Sequence, residues 1–230
     1  MSFAKRLQAV EENITSACRR AGRSPQDVQL IAVSKTKPVS AIKEAAAAGV
    51  HVFGENRVQE LREKYDVLSR EAIEWHLIGT LQSNKVKYLP AIGPLVRIHS
   101  VDNEKLALEI ERQGEKAGRI FNVLVEVNMA QEETKAGLAP LEVADFLRKI
   151  APLLHVNVKG LMTIAPYTAD AETNRPYFCG LRELMETLNT QGILREAMTE
   201  LSMGMSGDYT VAIEEGATYV RVGTALFGER

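Results

Sequence analysis

The sequence predicts an α/β fold: a single (β/α)8 TIM barrel with an extra helix at its amino terminus, spanning residues 1–230 as one domain. Three observations predict it. Short apolar runs alternate with amphipathic helical stretches, and there are eight such runs. The clearest run, Leu30-Ile31-Ala32-Val33, is continuously apolar. That pattern marks a strand covered on both faces, as in a parallel sheet. Finally, 230 residues without a linker or a visible repeat suit one α/β barrel. Strict alternation implies right-handed crossovers between parallel strands. An open doubly wound sheet is the alternative, weakened because no GxGxxG follows any strand.

Residues 3–21 form the extra helix, with Phe3, Leu7, Val10, Ile14 and Ala17 on one stripe before Gly22 and Ser24-Pro25 end it. The first strand then runs to Lys35, and Thr36-Lys37-Pro38 turns the chain. An alanine-rich helix at 40–48 stops at Gly49. Strand two is 50–53, followed by Gly54-Glu55-Asn56 and a helix at 58–68. Strand three is 73–78, with His76 near its end, and Ser83-Asn84 opens a short helix to Leu89. Strand four, 95–98, ends at His99-Ser100, and Asp102 is the expected cap of a helix at 103–117. Strand five is 121–127. The polar loop 128–137 after it holds Glu133, Thr134 and Lys135, and Pro140 begins a helix to Ile150. Strand six is 156–162. A helix at 176–189 turns Phe178, Leu181, Leu184, Met185 and Leu188 inward. Residues 200–202 make a short strand seven, 209–215 a helix, and 218–222 strand eight before Gly223-Thr224.

Composition excludes several functions. The formal net charge is -2, with Lys and Arg scattered among Asp and Glu, so there is no nucleic-acid footprint. Cys18 and Cys179 lie far apart and form no CxxC, which argues against zinc, a redox pair or a disulfide framework. The amino terminus has no apolar core of a signal peptide and no run spans a membrane, so a cytoplasmic protein is expected.

In a barrel, the residues at the carboxyl ends of the strands share one mouth. Here they are Lys35, Asn56, His76, His99, Met162, the segment 202–206 and Arg221. Loops after strands seven and eight commonly hold a phosphate. Ser202, Gly204, Ser206, Gly207, Gly223 and Thr224 offer hydroxyls and open backbone N–H groups there, although such residues also make ordinary turns and caps. A strand-end lysine beside a phosphate cradle suggests pyridoxal 5'-phosphate, bound as a Schiff base, against the bland alternative of a solvated lysine. Arg221, on the strand that closes against strand one, would donate to the pyridine nitrogen and leave it unprotonated. That makes the ring a weaker electron sink than one paired with a carboxylate. His76 and His99 read as supporting groups or a satisfied strand-end pair. His51 and His155 lie at the opposite end, and Lys37 and Lys135 are other amines that could meet free cofactor. No histidine spacing supports a metal.

The motifs AVSKTKP at 32–38, FGENRVQE at 53–60, WHLIGTLQSNK at 75–85, HSVDN at 99–103, GLMTIAP at 160–166, LSMGMSGD at 201–208 and RVGTALFGER at 221–230 run nearly end to end. On these the chain resembles the pyridoxal phosphate homeostasis proteins, which share the barrel of the alanine racemase amino-terminal domain, a fold type III arrangement. The resemblance implies Lys35 as the Schiff-base lysine. It also implies Ser206, Gly223 and Thr224 at the phosphate, Arg221 at the ring nitrogen, and Asn56 and Met162 along the ring. Many relatives have Tyr where this chain has Arg57. The resemblance further implies a carrier that buffers or delivers the cofactor, with no catalytic residues to assign; apoenzymes that accept it are the expected partners and a monomer the expected form.

The alternatives are a racemase- or decarboxylase-like enzyme using the cofactor, and a cofactor-free aldolase with a Lys35 Schiff base. Two-base racemisation needs groups on both faces of the ring. Lys35 is the one convincing base in the sequence, and the chain, ending soon after strand eight, is expected to lack the second domain of alanine racemases.

Overall fold

A computed structural model describes residues 2–93, 96–132 and 134–228. Eight parallel strands close into a barrel in sequence order. They are β1 (Gln29–Val33), β2 (Val52–Glu55), β3 (Glu74–Leu77), β4 (Val96–Val101), β5 (Phe121–Glu126), β6 (Val156–Met162), β7 (Glu200–Met205) and β8 (Tyr219–Val222). The seam closes by parallel pairing of β1 with β8, which sets Ile31 opposite Arg221. The main helices are α1 (Phe3–Arg20), α2 (Val39–Ala47), α3 (Val58–Leu68), α4 (Glu104–Ala117), α5 (Val143–Ile150), α6 (Arg175–Thr190), α7 (Tyr209–Glu214) and α8 (Thr224–Phe227). The extra helix α1 packs across α7 and α8, and its Phe3 ring lies 5.3 Å from that of Phe227.

The core has two parts. A large shell between strands and helices includes Ala32, Phe53, Trp75 and Ile98. A small cluster inside the barrel holds Ile31, Val52, Leu124, Met162 and Tyr219. Side chains alternate along a strand, so β1, β2, β5, β6 and β8 each feed both parts. The small inner cluster leaves the rest of the barrel interior to polar groups. Among the described residues no helix is long and apolar enough to cross a membrane.

Several boundaries differ from the sequence reading. β2 begins later than expected and runs through Gly54 and Glu55. Gly54 pairs with Val33 and His76, and glycine suits this place because a Cβ there would lie 2.8 Å from Ile31 and 2.9 Å from Ile78. β7 continues to Met205 across an irregular register between Ser202 and Met205. The expected short helix after β3 is a 3-10 helix, Ser83–Ala91, without a side-chain cap. Asn103, not Asp102, caps α4 by accepting the Leu106 N–H at 2.9 Å. Pro140 opens a 3-10 turn, Pro140–Glu142, ahead of α5. The expected strand start at Leu95, Glu133 of the polar loop and the terminal Glu229-Arg230 lie outside the described residues.

Candidate functional site

The alternation that puts Ile31 inside the barrel reaches Lys35 just past the end of β1, where the lysine is half-buried. Asn56 follows β2, Met162 ends β6, Ser206 follows β7, and Gly223-Thr224 follows β8. All these predicted residues therefore sit at the carboxyl end of the barrel. Met162 is fully buried in the inner cluster, Asn56 is half-buried and Thr224 is exposed.

Two backbone donors converge on Ser206. Its hydroxyl accepts the N–H groups of Gly223 at 3.2 Å and Ala225 at 3.4 Å. A hydroxyl and two convergent amides at the barrel mouth suit an anionic oxygen. Ala225 was not legible in the sequence, because it contributes only its backbone. Two of the candidate phosphate contacts face elsewhere. Ser202 is buried in the barrel interior between His99 and Arg221. Gly204 packs against α7, where a Cβ would lie 2.6 Å from Ala212.

Arg221 is buried and doubly anchored, donating to Ser202 Oγ and to the Thr163 carbonyl at 2.9 Å. Burial lowers its pKa to about 10, opposed by Glu126 and Asp208. Even so, it keeps its charge near neutrality.

From Arg221 a chain of hydrogen bonds runs down the barrel interior. Ser202 Oγ lies 2.9 Å from His99 Nδ1, His99 Nε2 lies 2.8 Å from His76 Nδ1, and His76 Nε2 lies 2.9 Å from Glu74 Oε1. The two ends dictate the proton positions. The bond from His76 holds the Glu74 carboxyl below its ordinary pKa, so it is an acceptor, and His76 Nε2 carries the proton. Burial lowers the pKa of His76 and takes that of His99 well below the ordinary value, so both rings are neutral. His76 Nδ1 then accepts from His99 Nε2–H, and His99 Nδ1 accepts from the Ser202 hydroxyl. Arg221 donates into the Ser202 oxygen, completing a chain with one direction. The two histidines are thus a satisfied pair, with His99 inside β4, which runs on to Val101 rather than ending at His99. Arg97 joins the lower end, 3.2 Å from Glu74 and 3.4 Å from Glu200.

Glu126 was missed in the sequence. It ends β5 beside Met162, shares the inward parity of Leu124, and is 5 % exposed. Its Oε2 is buried with no hydrogen-bond partner among the described residues. Burial raises its pKa to about 7, with Asp102 adding and Arg221 opposing. The signal was available: a carboxylate inside the apolar run of strand five, two positions from an inward leucine.

On the outer side of β1, Ser34 Oγ donates to Glu55 Oε1 at 2.6 Å. The Lys64 ammonium donates to the Ser34 carbonyl at 2.8 Å, and to Glu55 and Glu60 at 2.7 Å each. Of the remaining candidates, Lys135 pairs with Glu132 at 2.9 Å, and His155 with Glu111 at 3.0 Å. His51 is exposed just before β2. No cluster of His, Cys, Asp and Glu among the described residues could hold a metal.

Residues 6–230 match the family described as alanine racemase, N-terminal domain. A pyridoxal phosphate homeostasis protein of Aquifex aeolicus is 48% identical over 100% of this chain and 99% of its own length. Its counterpart in Pseudomonas aeruginosa is 40% identical over 100% and 96%. PipY of Synechococcus elongatus, in a structure with PLP bound, superposes with a TM-score of 0.84 at 39% identity. It covers 99% of this chain and 100% of its own. With the closed parallel barrel, these matches over the whole length place the chain in the pyridoxal phosphate homeostasis protein family, whose barrel is that of the alanine racemase N-terminal domain.

Proposed function

We propose that this chain binds pyridoxal 5'-phosphate as a Schiff base on Lys35 and buffers or delivers it, as one cofactor-binding domain over residues 1–230. The observation that carries this reading is that Lys35 shares a barrel mouth with the Ser206, Gly223 and Ala225 donors. The PLP-bound structure of PipY supports the same ligand. The residues present fit the group. Ser206, Gly223 and Thr224 would hold the phosphate, Arg221 the ring nitrogen, and Asn56 and Met162 the ring. The bound group supplies an aldehyde: its carbon bonds to the lysine nitrogen and one water leaves, with no redox change.

We assign no robust catalysis. Arg221 keeps its proton, so the ring nitrogen it faces stays unprotonated and stabilises a carbanion poorly. The enzyme alternative gains from Glu126, a second proton-carrying group with a pKa of about 7, on β5 across the barrel from β1. Apoenzymes that accept the cofactor are the expected partners, and a monomer in the cytoplasm the expected form.

The test is the visible spectrum of purified protein with the cofactor, followed by borohydride reduction and mapping of the label. The expected label is on Lys35, and Lys35→Ala loses the absorbance. A label mainly on Lys37 or Lys135 overturns the assignment. Incubation with L- and D-amino acids in deuterated water then separates carrier from enzyme: repeated turnover on any one of them overturns the carrier reading.

A further inference from the structure

Thr36, directly after Lys35, has a φ of 64°. A β-branched residue in the left-handed region is an outlier. Such backbone persists only where its surroundings over-determine it, and it gathers at functional sites. Here the surroundings are charged. Glu60 Oε1, on α3, accepts the Thr36 N–H at 2.6 Å and also binds the Lys64 ammonium. Lys64, itself 5 % exposed, reaches from α3 to the Ser34 carbonyl and to Glu55. Ser34 is held again by its hydroxyl on Glu55 and by its N–H on the Gly54 carbonyl at 3.0 Å. The residues on both sides of Lys35 are therefore tied to one buried ionic cluster.

That cluster is an odd way to stabilise a barrel. Two carboxylates and one ammonium carry large desolvation costs, and apolar packing between helix and strand often does as well or better. What apolar packing cannot do is hold a backbone N–H and C=O at fixed points two residues apart. We propose that Glu60 and Lys64, with Glu55, are positioning residues that lock the Ser34–Thr36 segment and thereby aim the Lys35 amine into the barrel mouth. Lys64 itself is no competing nucleophile, because its ammonium already serves three acceptors. The inference rests on Lys35 being the lysine that takes the cofactor aldehyde.

The variants are Glu60→Ala and Glu60→Gln, chosen because Glu60 is partly exposed and the Glu55–Lys64 pair survives its loss. Two ligands separate aim from general damage. Pyridoxal 5'-phosphate uses Lys35, whereas pyridoxine 5'-phosphate has the same ring and phosphate but no aldehyde. Glu60→Ala is expected to weaken pyridoxal 5'-phosphate about tenfold and to slow the appearance of Schiff-base absorbance, with pyridoxine 5'-phosphate affinity unchanged. Glu60→Gln, which keeps an acceptor for Thr36, is expected to bind like the parent. Equal loss for both ligands, or no loss for either, overturns the clamp. A parent protein labelled by borohydride on a lysine other than Lys35 overturns the carrier assignment instead, and the clamp with it.

Discussion

Replacing Glu126 by glutamine should make the ligand-free protein more stable, and only at higher pH. The folded carboxyl titrates near 7, whereas the same group in the unfolded chain titrates near its model value of 4.5. The folded state therefore binds the extra proton between these values. Its contribution is neutral below about pH 4.5 and turns unfavourable as pH rises through 7. At pH 8 that difference amounts to about 3 kcal/mol, at 1.36 kcal/mol for each pKa step. Relaxation around the buried group lowers this toward about 2 kcal/mol. For a chain of 230 residues, that corresponds to a rise in Tm of about 4–8 °C. Glu126→Gln keeps the shape and removes the titration. Thermal unfolding of parent and variant from pH 4.5 to 8.5 is the assay. The gap should be near zero at the acid end and open through neutrality. A gap that is constant with pH, or absent at pH 8, refutes the burial of an unpartnered carboxyl at the end of β5.

The histidine pair gives the opposite slope. Both rings hold their pKa below the unfolded value, so their stabilisation is complete above about pH 6.5 and is lost as pH falls through it. Glu126→Gln should expose this slope in unfolding curves, and His99→Gln in that background should flatten it. At the Ser206 cradle, pyridoxal lacking the phosphate should bind more weakly by orders of magnitude in a spectroscopic titration, because several charge-assisted hydrogen bonds are lost, each worth about 1.5–3 kcal/mol. Equal affinities would remove the cradle. Gly160→Ala should unfold or misassemble the barrel, because its Cβ would fall 1.7 Å from the Glu200 carbonyl oxygen at the β6–β7 junction. A circular dichroism melt like that of the parent would show that the two strands can part cheaply.

The sequence by itself determined the architecture. Continuous apolar strands, helical stripes and short glycine-bounded connections are local properties, and their alternation admits few topologies. The strand-end position of Lys35, Asn56, Met162, Ser206, Arg221 and Gly223 followed from the same count, since each lies next to a strand terminus that periodicity marks. Tertiary structure alone decided which groups serve one another. Ser202 looked like a phosphate contact because it lies beside Ser206 in sequence. In the barrel it faces Arg221 and His99, because it lies within β7 in the closed interior, whereas Ser206 lies past the strand's end at the mouth. Nothing in the sequence singles out Lys64 and Glu60 within the 58–68 helix, yet α3 lays them against the turn that carries Lys35. Glu126 went unremarked in the sequence, and its pKa depends on how much water the closed barrel admits. Charge and hydrogen-bond pairing in a closed barrel link strands far apart in the chain, so no local window of sequence contains them.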